Sequence, residues 1–235
     1  MTTRFLIFAG LWIAFLGVAA GVPSSLRAQQ VASAETALEV AARVQSFYDQ
    51  TTSVSAVFFQ TYVNKLYQRT DRSKGRVVFK KPGKMRWNYD APNGKVIVSD
   101  GVKLRVFEPG DASEPGQMIE QAISDSQLPQ ALSFLMGTGR LENDFTFRLL
   151  DAAREGFPNG DVLELRPRAD SPHYQRILFY VERDPRLRGL VRRVLIVDPN
   201  GNRNRFDFSA FEFNRAAPDE QFRFQPPAGT RRVGP

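Results

Sequence analysis

Residues 74–108 read KGRVVFKKPGKMRWNYDAPNGKVIVSDGVKLRVFE. Within this stretch Met85, Trp87 and Tyr89 alternate with Lys84, Arg86 and Asn88. A step of two puts three large apolar side chains on one face of a strand and polar groups on the other. Pro82 stops the preceding strand, since proline belongs at a strand end or edge. Asn93-Gly94 is the strongest short hairpin signal, and Ser99-Asp100-Gly101 makes another tight turn. The stretch therefore predicts four strands joined by short turns. A β-branched and aromatic strand over 53–66 precedes them, and the whole is an antiparallel meander.

Upstream, residues 33–50 carry Ala37, Val40, Ala41, Val44, Phe47 and Tyr48 at spacings of three and four. This stripe predicts an amphipathic helix packed on a sheet, with Ser33 as its cap and Glu35 at its positive end. Downstream, the Pro- and Gly-rich loop 108–116 interrupts the meander. Two short helical segments are predicted after it, QMIEQAI (117–123) and LPQALSFLMG (128–137). Five more strands follow, separated by turns rich in Gly, Pro, Asn and Asp. In the last of them the phenylalanines change phase, and Phe206 and Phe208 are expected on one face with Phe211 and Phe213 on the other. A bulge near Ala210 accounts for the slip.

About ten strands and three helical pieces, without repeat or linker, predict an α+β, mainly β domain. A sheet of that length curls. The expected architecture is a curved antiparallel sheet, an unclosed barrel whose concave face is covered by a helical lid.

Arg4 followed by the apolar run Phe5–Gly21 describes a secretory signal peptide, placed at 1–28 with cleavage between 20 and 34; the alternative is an uncleaved membrane anchor, for which the run falls short of the about 20 residues a spanning helix needs. The remainder, 35–235, reads as one exported, soluble domain. The chain contains no cysteine, which excludes thiolate chemistry, cysteine-ligated metals and lipidation at an N-terminal cysteine. A formal charge of +7 favours an acidic protein or membrane face over nucleic acid as partner for an exported chain. Nineteen phenylalanines are the compositional oddity, and they supply apolar ring surface.

Residues suited to catalysis are scarce. The single histidine, His173, has no G-x-S-x-G elbow to serve. Asp100, Asp184 and Asp198 sit beside Pro or Gly, where turn formation accounts for them. No ligand cluster suggests a metal and no glycine loop a nucleotide, so neither enzyme activity nor a cofactor is expected. The basic run Arg183, Arg186, Arg188, Arg192 and Arg193 is read first as a charged hairpin that prevents edge pairing, and second as a docking surface for an acidic partner. An apolar concavity under helices could enclose an apolar ligand or simply be filled as core.

The stretch 74–108, together with AVFFQ at 56–60 and FRFQPPAGT at 222–230, resembles the periplasmic outer-membrane lipoprotein carrier family, LolA. The resemblance spans about 35–232. It implies a periplasmic, monomeric carrier of acylated lipoproteins, loaded by an inner-membrane ABC transporter and unloaded at an outer-membrane receptor. It further implies that Met85 and Trp87 line an acyl cavity, with Phe58, Val78, Tyr89, Ile97 and Leu104 as neighbours and Leu132 and Leu135 above them on the lid. Many relatives carry Arg immediately before the Pro as a lid latch; here the latch position is Lys81, a point charge in place of a planar fork. The alternatives within the same fold are a carrier of free lipid or glycolipid and a lipoprotein-sensing regulator.

Overall fold

The computed structural model describes residues 35–122, 137 and 139–234. Helix α1 (Ala37–Asp49) opens them. Its cap is Thr36, not Ser33: the Thr36 hydroxyl accepts from the Glu39 backbone, and the Glu39 carboxylate accepts from the Thr36 backbone. This reciprocal box satisfies two of the helix's unpaired donors locally. Glu35 lies just outside the helix and binds Arg43 and Arg188.

Eleven strands follow in antiparallel pairing: β1 (Ser53–Asn64), β2 (Arg69–Lys80), β3 (Lys84–Tyr89), β4 (Val96–Asp100), β5 (Lys103–Glu108), β6 (Gln117–Ala122), β7 (Phe145–Leu150), β8 (Gly160–Pro167), β9 (Arg176–Glu182), β10 (Val191–Val197) and β11 (Arg203–Phe213). The short β12 (Arg231–Val233) pairs with β6 in parallel. The order is β12-β6-β5-β4-β3-β2-β1-β11-β10-β9-β8-β7. β7 and β12 end this sheet as separate edges, so the barrel is unclosed.

Two strands exceed the ten expected. Residues 117–122 form β6, correcting the helix predicted there. Six residues cannot separate strand from helix by period alone, and the partner decides: Val106 faces Ile119 and Phe107 faces Met118 across the ladder. Lys103 and Arg105 also bond Glu120 from the neighbouring strand. β12 is the other addition, carried there by a C-terminal segment that crosses the opposite face of the sheet. In that segment Phe222 is buried, Phe224 packs on Phe107 at 5.4 Å, and Arg86 donates to the carbonyls of Gln221 and Arg223. Segments 1–28 and 128–136 lie outside the described residues, and with them the expected signal peptide and all but Gly137 of the second expected helical segment.

The inner face collects Phe58, Val77, Phe79, Met85, Trp87, Tyr89 and Leu104 with residues of β8–β11, and α1 adds Val40, Ala41, Val44 and Tyr48 to the same core. The phenylalanine slip in β11 is a bulge. Ser55 faces Glu212 and Val57 faces Ser209, leaving an extra residue near Ala210, which adopts φ 49°. The extra residue returns Phe211 and Phe213 to the side of Phe206 and Phe208, so all four pack on one core.

Candidate functional site: an aromatic sheet face under a helix

Trp87 is the centre of the inner face. Its ring lies 4.9 Å from Phe58, 5.7 Å from Phe79, 5.2 Å from Phe206 and 6.1 Å from Phe208, in edge-on or tilted contacts. Tyr89 adds an edge contact to Phe58 at 4.9 Å. Such geometries match ring quadrupoles as well as bury area. Gly75 makes this approach possible: a Cβ there would stand 2.0 Å from the Asn88 carbonyl and 2.9 Å from the Phe58 ring.

Six of the seven cavity residues expected within the described chain share this face. Phe58, Met85, Trp87 and Leu104 are fully buried, Tyr89 is nearly so, and Ile97 is half-buried against them. Val78 does not join them. Val77 faces Trp87 and Phe79 faces Met85 in the β2–β3 ladder, whereas Val78 faces Arg86. Directly opposed residues share a face, so Val78 looks outward, into a groove it shares with Arg76 and Gln221. Leu132 and Leu135 lie outside the described residues. Phe79, Phe206 and Phe208 were missed as site residues. The F-x-F pair in β11 was a usable signal once the bulge restored its phase.

Among the described residues, α1 and the sheet pack closely. An apolar cavity of about 20 Å³ lies between α1 and the sheet, bounded by Tyr48, Val77, Phe79, Val194, Phe208 and Phe211 among others. It has room for about one water-sized group. Trp87 Nε1 is enclosed without a hydrogen-bond partner.

Polar contacts tie α1 to both sides of the sheet. On the β8 side, Arg43 bonds the buried Asp161 at 2.6 Å, and Arg183 reaches the same carboxylate. Burial pushes the Asp161 carboxyl upward, but hydrogen bonds from Arg183 and Arg43 outweigh it and hold it below its ordinary value. The Val191 backbone of β10 donates to the Tyr48 hydroxyl at 3.2 Å. Burial raises that hydroxyl's pKa strongly, keeping it neutral. Towards β2 there is Lys81, whose ammonium donates to the Tyr48 carbonyl at 2.5 Å. Its stem lies against Gly137, where a Cβ would come within 2.9 Å of Lys81 Cδ. Burial lowers the Lys81 pKa, with the Asp49 charge opposing.

The family model described as "Outer membrane lipoprotein carrier protein LolA" matches residues 49–225. This chain belongs to the LolA family. An outer-membrane lipoprotein carrier protein of Nitrosospira multiformis is 32% identical over 186 residues, 79% of this chain and 84% of that one. One from Chromobacterium violaceum is 30% identical over 211 residues, 90% of this chain and 92% of that one. Among solved structures, a LolA superfamily protein of Nitrosomonas europaea is 18% identical, with a TM-score of 0.46 over 81% of this chain and 99% of that one. LolA-family proteins are periplasmic carriers of lipoproteins.

Among the described residues no helix is long and apolar enough to cross a membrane, and no group of three or more His, Asp or Glu residues could hold a metal. Four of the five arginines of the basic run bind carboxylates of the chain itself: Arg183 with Asp161, Arg188 with Glu35, Arg192 with Glu182 and Arg193 with Asp207.

Proposed function

We propose that this chain is a soluble periplasmic carrier that holds the acyl chains of lipoproteins against the Trp87 face. It collects them from an inner-membrane ABC transporter and delivers them to an outer-membrane receptor, as a monomer without cofactor. The supporting observation is the face itself, an apolar surface of aromatic rings and Met85 beneath α1. Each methylene buried there contributes about 0.8 kcal/mol, so diacyl or triacyl cargo is retained without a covalent bond. Met85 adapts to chains of different shape.

The cavity of about 20 Å³ between α1 and the sheet cannot admit an acyl chain, so a chain that enters there requires the two to separate. The separation runs along β1–β3, where Lys81 supplies the tie, while the Asp161 and Val191 contacts keep the helix on β8 and β10. Lid positions Leu132 and Leu135 complete the chamber on this proposal.

The test is extraction of protein purified from its native periplasm, which should yield bound acylated protein. Trp87→Glu, checked for folding by circular dichroism, should retain none. Depletion of the protein should leave lipoproteins at the inner membrane. Purified protein free of acylated cargo, together with normal outer-membrane delivery on depletion, overturns the proposal.

A further inference from the structure

The one unexplained feature of the aromatic face is a polar atom. Trp87 is fully buried, yet its Nε1 has no hydrogen-bond acceptor. Buried donors are nearly always paired, and an exception calls for a specific reason. A face meant only for hydrocarbon has no use for an indole N–H; phenylalanine or leucine would fill the position with no unpaired group. Two of the rings in contact with Trp87, Phe79 and Phe208, also bound the small apolar cavity. A group that expands this cavity therefore arrives beside the indole.

Acyl chains linked through glycerol bring the complementary need. Their methylenes lose nothing on entering a dry chamber, but each ester carbonyl gives up its hydrogen bonds to water and requires a donor inside. We propose that the Trp87 indole N–H donates to an ester carbonyl of the bound acylglyceryl group. The site then selects acyl esters over ether-linked chains of the same length. The inference rests on the acyl-carrier reading and adds a chemical class to it.

The test uses delipidated protein titrated with dipalmitoyl phosphatidylglycerol and with its dihexadecyl ether analogue, which lacks the carbonyls. The wild type should bind the ester about fivefold more tightly. That ratio corresponds to about 1 kcal/mol, one net hydrogen bond. Trp87→Phe should bring the ratio to about one, whatever it does to the affinity for either lipid alone. The indole Nε1 proton resonance should move downfield with the ester and stay in place with the ether. Should Trp87→Phe disturb the fold, replacing the Trp87 indole with benzothiophene keeps the ring shape and removes only the N–H.

A wild-type ratio of one, or a ratio that survives loss of the N–H, overturns the inference and leaves the carrier reading intact. An unmoved resonance in the ester complex also overturns it, and assigns the N–H to a weak contact with the Phe79 ring, which meets the indole edge-on at 88°. Binding of neither lipid, and of no acylated protein, removes both.

Discussion

The ammonium of Lys81 donates to the carbonyl oxygen of Tyr48 at 2.5 Å, joining the end of β2 to the last turn of α1. That carbonyl belongs to the C-terminal turn of the helix, where it also accepts from the Thr51 backbone at 2.9 Å and where positive charge is favoured. The same tyrosine's hydroxyl serves β10 through Val191. One residue thus receives hydrogen bonds from both halves of the sheet, through the carbonyl on one side and the phenol on the other.

Lys81→Met should release the β2 side of this link. The expected outcome is faster amide exchange in the last turn of α1, with a loss of about 1 kcal/mol in global stability by denaturant titration. Lys81→Arg should restore slow exchange, because a guanidinium can donate to the same carbonyl. Equal exchange rates in wild type and Lys81→Met would show that the contact does not hold the helix.

Tyr48→Phe should be the costlier change. It leaves the buried Val191 N–H without its acceptor, a loss of about 1–3 kcal/mol for an unsatisfied buried donor. A midpoint shift of that size in chemical denaturation is the expected outcome, and a shift below about 0.5 kcal/mol would contradict the burial of this bond.

Gly75→Ala should disturb the aromatic face without touching it directly. The new methyl would stand 2.0 Å from the Asn88 carbonyl and 2.9 Å from Phe58, so strand and ring must both move. Overpacking of this kind costs about 1–3 kcal/mol. Loss of near-ultraviolet circular dichroism from the Trp87 environment should accompany it. A spectrum identical to wild type would show that Phe58 has another resting place.

Acid should weaken the fold through its paired carboxylates. Hydrogen bonds from Lys80 and Lys84 hold Asp219 down to about 2. Burial opposes the shift at Asp100, but bonds from Lys103, Val102 and Arg105 bring it to about 2 as well. Both folded pKa values lie below the unfolded value of about 3.9, so the unfolded state takes up protons first as the pH drops. Their contribution is fully present above about pH 4 and is lost as the pH falls through about 2. Thermal midpoints should be flat from neutrality to about pH 5 and then decline. Asp219→Asn should reduce the steepness of that decline.

The meander was readable because its signals are local. Alternation over Lys84–Tyr89, the Asn93-Gly94 turn and Pro82 each act within a few residues, and β3, β4 and β5 formed where those signals stood. The bulge near Ala210 was readable for the same reason, as a break in period within one strand. Val78 was misplaced because Val77, Val78 and Phe79 are all apolar, and an unbroken run carries no phase. Its face follows from the register with β3, where Met85 and Trp87 draw Phe79 and Val77 inward.

Residue chemistry at short range was enough for the strands, the turns, the apolar stripe of α1 and the likeness to lipoprotein carriers. The strand at 117–122, the seating of the C-terminal phenylalanines and the unpaired indole of Trp87 depended on partners far along the chain. Pairing and enclosure are properties of surfaces brought together. Trp87 meets Phe79 from its own hairpin, but also Phe58 of β1 and Phe206 of β11, which no short window of sequence around it contains.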